Sequence, residues 1–143
     1  MFRLDLISTR HIEAPPGRVR AVFDEVERWP EWCSVLLDLR VAKPISVGND
    51  LAYTIRMMGL PAPFHVTIDA VTESSVVWSS WKGPILGTRT WRFEAEGEGT
   101  LVTDHKRFES RWLPLALFYP RPIIRQMSQR WLADLGAEAS SEP

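Results

Sequence analysis

The chain has 143 residues, of which 45% are hydrophobic and 24% charged, as expected for one globular domain with a single sizeable core. Its net charge of −1 gives no basic signature of a nucleic-acid-binding protein. The sole cysteine, Cys33, excludes an intrachain disulfide and a cysteine-based metal cluster. Without an apolar run of ~18 residues or a signal-peptide core, we expect a cytoplasmic protein.

The first third of the chain predicts a strand followed by a broken helix. Residues 2–13 alternate between two faces, one of them largely apolar, which is typical of a half-buried strand. Apolar residues at i, i+3, i+4 and i+7 from Val19 then form one stripe of an amphipathic helix that begins at a proline pair. Pro30 is expected to disrupt this helix near Arg28 or Trp29.

The middle of the chain has the pattern of short strands joined by turns. Six strands are predicted, over 34–43, 51–58, 64–71, 75–81, 87–96 and within 97–112, a segment that opens with a glycine-rich turn. Their short spacing predicts an antiparallel meander.

The C-terminal part is predicted to be helical. An apolar connection with three prolines leads from Trp112 into a final helix over 122–136, which Gly136 would close. The helix carries an apolar face with Ile124, Met127 and Trp131. We expect a single domain over 1–137 and a disordered tail over 138–143.

This order of elements resembles the START-like, helix-grip (SRPBCC) superfamily, within it the polyketide cyclase/dehydrase-like group of small bacterial proteins. The resemblance covers nearly the whole chain and rests on "IEAPPGRVRAVFDEVERWPEW", "VVWSSWKGPILGTRTWRFEAEGEGT" and the terminal amphipathic helix. It implies an α+β fold: a seven-stranded curved antiparallel sheet wrapped around a long C-terminal helix, with two short helices between strands 1 and 2. It also implies a cavity for a hydrophobic small molecule between sheet and helix.

Inward side chains of the strands and of the final helix are the candidate ligand contacts. The expected pocket residues are Trp32, Leu37, Tyr53, Ile55, Phe64, Val66, Ile68, Trp78, Arg89, Trp91, Phe93, Phe118, Ile124, Met127 and Trp131. Trp91 and Trp131 should meet across the interior, and Trp78 and Trp81 should point to opposite faces of their strand. Trp29 is expected to pack on the first helix as a plug.

Three polar residues are candidates for proton transfer: Arg89, His105 and Glu109. Arg89 shares the face of Trp91, so it either meets a buried partner or ligand, or snorkels to water from the strand end. His105, Arg107 and Glu109 share one face of the last strand; this face forms either a polar floor of the cavity or an exposed edge with internal salt bridges. The sequence pattern leaves both questions open.

Three functions are compatible with this pattern. The first is non-enzymatic binding of a lipid, polyketide, isoprenoid or quinone-type molecule. The second is a polyketide cyclase or dehydratase that uses the same cavity. The third is an accessory module that docks on an anionic membrane or acidic partner through Arg111, Arg121, Arg125 and Arg130. We expect no cofactor and no metal, because the three histidines lack ligand spacing, and we interpret Cys33 as a buried, inert thiol.

Overall fold

The computed structural model describes residues 1–141, which form one curved antiparallel sheet with helices on its concave face. Seven strands lie in the order β1-β7-β6-β5-β4-β3-β2. Their bounds are β1 Phe2–Ile12, β2 Leu36–Ala42, β3 Asp50–Met57, β4 Leu60–Val71, β5 Ser75–Lys82, β6 Ile85–Glu96 and β7 Gly99–Ser110. The expected α+β helix-grip fold is confirmed.

The chain between β1 and β2 forms two short helices, α1 (Pro16–Asp24) and α2 (Trp29–Trp32), joined by the 3₁₀ turn Val26–Arg28. The first helix therefore ends at Asp24, earlier than the sequence pattern predicts. Pro30 lies in the first turn of α2, where its missing N–H requires no partner. Pro30, which the sequence pattern predicts to disrupt the first helix, thus lies at the start of a second helix.

The turn between β3 and β4 is tighter than the sequence predicts. Met58 and Gly59 both have positive φ, at 52° and 78°, so two residues suffice to pair Met57 with Leu60. The fourth strand consequently begins at Leu60 and includes Pro61 and Pro63. This strand pairs with β5 only over Thr67–Val71. Both prolines therefore lie outside this pairing, where no backbone N–H is needed to bond to β5.

The C-terminal helix, α4, spans Arg121–Ser140 and follows the short helix α3 (Leu115–Phe118). The prediction that Gly136 closes this helix is wrong. A methyl group at Gly136 would lie 3.4 Å from Cγ1 of Ile12, so the glycine allows α4 to approach β1 closely. The predicted tail over 138–143 begins inside the helix, with Ala139 buried, while 142–143 lie outside the described residues.

An aromatic cluster fills one end of the space between sheet and helices. Four of its members are fully buried tryptophans, Trp29, Trp78, Trp91 and Trp131, and Phe23 of α1 and Phe93 of β6 pack with them. The rings of Trp91 and Trp131 are 5.6 Å apart between centroids, so the predicted contact across the interior is confirmed. A second cluster around Leu4, Leu6, Leu115 and Ile124 fills the opposite end.

Candidate functional site

A cavity of about 260 Å³ lies beneath α4, against the middle of the sheet. Its walls come from five strands, from α4 and from the segment that precedes α4. The lining residues are Tyr53, Ile55, Met57, Phe64, Val66, Trp78, Ser80, Lys82, Ile85, Gly87, Thr88, Arg89, Lys106, Phe108, Tyr119, Pro120, Ile124 and Met127. The space is near the lower end of the ~300–1,000 Å³ found for ligand pockets, and its lining is mostly apolar with a few polar groups.

More than half of the expected pocket residues line this cavity. These are Tyr53, Ile55, Phe64, Val66, Trp78, Arg89, Ile124 and Met127. Ile68, Trp91, Phe93 and Trp131 are buried in the adjoining aromatic core and do not reach the cavity wall. The side chain of Phe118 lies outside the described part of the structure.

Leu37 does not belong to the pocket, because a β-bulge reverses its direction. Leu36 pairs with Ile55 and Asp38 pairs with Thr54, so β2 contains one residue more than β3 in this interval. The bulge places Leu36 against the core and leaves Leu37 44% exposed. Strict alternation counted from the start of the strand therefore predicts the wrong face of the sheet for Leu37.

The two tryptophans around Pro30 have different surroundings. Trp29 is fully buried, its ring is 5.6 Å from Phe23, and its indole N–H donates to the Phe23 carbonyl at 2.9 Å. The expected packing of Trp29 on the first helix is thus confirmed. Trp32 is only half-buried and packs against the core without reaching the cavity, so its expected position in the pocket wall is wrong.

His105 and Glu109 do not face the cavity. The register pairs Asp5 with Arg107 and Ile7 with His105, which places the predicted polar floor on the convex side of the sheet. There the Asp5 carboxylate accepts hydrogen bonds from Arg107 at 2.9 Å and from His105 at 2.7 Å. These bonds lower the pKa of Asp5 to about 2. The internal salt bridge is therefore the correct alternative for this face.

Arg89 faces inward and meets a buried partner on β7. Its guanidinium donates two hydrogen bonds to the Asp104 carboxylate, at 2.8 and 2.7 Å, and both side chains are buried. It also lies between the rings of Trp91 and Trp131, 4.3 and 4.5 Å from their centroids. Burial opposes ionisation of both groups, but their mutual attraction raises the pKa of Arg89 and lowers the pKa of Asp104.

Lys106, two residues along the same face, carries its amine into the cavity wall. The amine donates a hydrogen bond to the Ser128 hydroxyl of α4 and lies 3.9 Å from the Asp104 carboxylate. Burial lowers the pKa of Lys106 to about 7; the nearby Arg89 cation lowers it further, and Asp104 opposes both. This is the buried titratable group of the cavity that sequence reasoning missed.

A usable signal for the missed residues exists in β7. Val102 and Phe108 share the face of Asp104 and Lys106, whereas Leu101 is the one apolar residue of the opposite face. A strand face that carries a valine and a phenylalanine is a better candidate for a core face than one that ends in Arg107 and Glu109. By that criterion the face of Lys106 is the better candidate for the core face.

Other candidate groups are placed away from the cavity. Cys33 is buried, and desolvation raises the pKa of its thiol to about 12, which fits the predicted inert role. His11 and His65 pair with Glu96 and Asp50 at exposed positions.

Within residues 1–141 there is no group of three or more His, Cys, Asp or Glu side chains placed to hold a metal ion. In the same residues no helix is both long and apolar enough to cross a membrane.

Comparison with known proteins identifies the fold and one family. The family described as polyketide cyclase / dehydrase and lipid transport matches residues 4–139. A protein of Thermus thermophilus is 20% identical, with a TM-score of 0.79 over 96% of this chain and 100% of the other. The ZhuI aromatase/cyclase of Streptomyces sp. R1128 is 13% identical, with a TM-score of 0.79 over 96% and 93%.

A plant protein shares the same architecture. The major latex-like protein 151 of Panax ginseng is 16% identical, with a TM-score of 0.79 over 99% of this chain and all of the other. No curated protein matches the chain. At these identities the solved structures are similar to the chain in fold alone.

Proposed function

Since the chain belongs to the polyketide cyclase/dehydrase and lipid transport family, we propose that it binds a lipophilic small molecule beneath α4. The observation that carries this proposal is the cavity of about 260 Å³, which is largely apolar and bordered by aromatic rings. Apolar surface that the fold leaves unfilled is stabilised when a ligand covers it. Polyketides, isoprenoids, quinones and lipid chains all supply such surface.

A dye of similar chemistry tests this proposal. N-phenyl-1-naphthylamine is neutral and apolar, and its emission, excited directly, increases in an apolar site. Wild-type protein should bind it saturably, and Met127→Trp, which fills the cavity from α4, should weaken binding at least tenfold.

Gln129→Trp is the matched control, because it adds the same side chain at an exposed position of α4. Thermal unfolding of both variants checks that each is folded. Equal dye affinity in the folded Met127→Trp variant and in wild type would show that the cavity is not the binding site.

A cyclase or dehydratase activity is the second candidate, and Lys106 is the observation in its favour. The pKa of its amine, about 7, suits proton exchange with a substrate near neutral pH. His105 and Glu109 no longer support this activity, since they lie on the convex face. If a polyketide-like substrate is turned over, Lys106→Met should abolish turnover while the neutral dye still binds; unchanged turnover would exclude this role.

Docking on an anionic surface is the third candidate. Trp112 and Leu117 are 67% and 79% exposed, and Arg111, Arg121 and Arg125 beside them in the chain are exposed as well. Exposed apolar side chains among arginines favour contact with an acidic partner or anionic membrane. Salt-sensitive binding to phosphatidylserine vesicles should be lost in Arg121→Glu/Arg125→Glu. The cytoplasmic location stays a prediction.

A further inference from the structure

The charges around the cavity are not balanced by the protein alone. Arg89 and Asp104 neutralise each other through two short hydrogen bonds, and Asp104 is fully buried. A bidentate arginine–carboxylate pair is strong and geometrically specific, and its two charges cancel. Two more cations line the cavity: Lys82, which is exposed, and Lys106, whose side chain is only 15% exposed.

The Lys106 amine has donors to spare. An ammonium group carries three N–H donors, and within residues 1–141 its one hydrogen bond goes to the Ser128 hydroxyl. The Asp104 carboxylate, at 3.9 Å, is too distant for a hydrogen bond and is already held by Arg89. The side chain of Lys106 is 15% exposed, so bulk water supplies little compensation.

We propose that the cavity selects lipophilic molecules bearing an acidic oxygen, such as a carboxylate, enolate or phenolate, and that the Lys106 ammonium binds this oxygen. The inference rests on the proposed function and specifies its ligand class. With such a ligand bound, the cations of Arg89 and Lys106 face the anions of Asp104 and ligand, and the buried charges sum to zero. Burial of an unpaired charge is costly, so this balance favours an acid over a neutral analogue of equal size.

The groups around Lys106 determine the pH dependence. Asp104 shares its strand, Arg89 is its register partner on β6, and Ser128 of α4 accepts its hydrogen bond. The phenols of Tyr53 and Tyr119 line the same cavity. Leu6 is its register partner on β1, and Lys82 lies elsewhere on the wall, over the Phe64 ring. Above about pH 7 the free amine is neutral, so an anionic ligand must bind together with a proton. Affinity for the anion should therefore fall above about pH 7.

Displacement of the neutral dye by two matched competitors tests the inference. 2-Naphthoate and 2-naphthalenemethanol share a ring system and differ in the acidic oxygen. At pH 6 naphthoate should compete about tenfold better in wild type, in line with a charge-assisted hydrogen bond. Lys106→Met should abolish this preference, with each competitor's affinity calculated from the dye affinity measured for that variant. Lys43→Met, the same change at an exposed lysine, should keep both the preference for the acid and the dye affinity.

Each result is decisive. Equal competition by acid and alcohol in wild type, or a preserved preference in Lys106→Met, overturns the inference while dye binding leaves the proposed function standing. Absence of dye binding to wild type overturns both. If Lys106→Met does not fold, the pH dependence of the wild-type protein decides. The affinity for naphthoate should fall by up to tenfold per pH unit above about pH 7, while the affinity for the alcohol stays constant. Parallel pH profiles of the two affinities would contradict the inference.

Discussion

Arg89 carries a charge in the most aromatic part of the interior, and two kinds of contact hold it there. Its guanidinium donates twice to Asp104, and the rings of Trp91 and Trp131 lie within 4.5 Å of it. The aromatic faces stabilise the cation, while the carboxylate offsets its desolvation. The pair also fixes β6 against β7 at the wall of the cavity, so the position of Lys106 depends on it.

Removal of one member of this pair should be far more damaging than removal of both. We expect Asp104→Asn to lower the free energy of unfolding by about 3–5 kcal/mol, because it leaves the Arg89 cation buried without its carboxylate. The double variant Arg89→Met/Asp104→Leu should be less destabilised than Asp104→Asn, since no unpaired charge remains. Urea unfolding of the three proteins measures this; a loss below ~1 kcal/mol in Asp104→Asn would contradict the account.

At the scale of the elements, close packing of α4 on β1 determines how the helix covers the sheet. Gly136 faces Ile12 and Arg10, and a methyl group there would lie 3.4 Å from Ile12 and 3.5 Å from Arg10. The site therefore has room for one methyl group and no more. Any larger side chain must lift the helix away from the strand and from the sheet below it.

This contact predicts opposite effects for two substitutions of Gly136. Gly136→Ala should change stability little or raise it by up to about 1 kcal/mol, because alanine favours the helix and its methyl just fits. Gly136→Leu should cost about 1–3 kcal/mol through overpacking against Ile12. Thermal and urea unfolding distinguish them, and equal stability of the two variants would show that the helix approaches β1 less closely than described.

The same elements show how far the sequence predicts the fold. Hydrophobic periodicity is sufficient to predict all seven strands and the final helix. It also places Trp91 and Trp131 on the inward faces of β6 and α4, from which their contact follows. The direction of Leu37 was not predictable from alternation, since it depends on a bulge against β3.

Tertiary contacts account for the remaining errors. Gly136 has the pattern of a helix end, but its role is to allow contact with a strand more than a hundred residues away in the chain. The face of β7 was ambiguous because its inward set includes the charged residues Asp104 and Lys106. Their partners, Arg89 and Ser128, come from other elements, and local sequence does not reveal such pairs.

For the whole molecule, the division of the interior into two clusters explains where the cavity lies. The tryptophan-rich cluster occupies one end, and the Leu4–Leu6–Leu115–Ile124 cluster occupies the other. Residues of both clusters line the cavity, among them Trp78 from the first and Ile124 from the second. The cavity where the ligand is proposed to bind therefore lies where the two clusters meet.

The indole N–H signals of the seven tryptophans provide the most direct test of ligand binding in this cavity. Titration of ¹⁵N-labelled protein with N-phenyl-1-naphthylamine should shift the signal of Trp78, whose ring lines the cavity. The signals of Trp81 and Trp112, which are 70% and 67% exposed outside the cavity, should stay in place. Shifts of Trp81 or Trp112 with Trp78 unchanged, or no shift at saturating dye, would contradict the account.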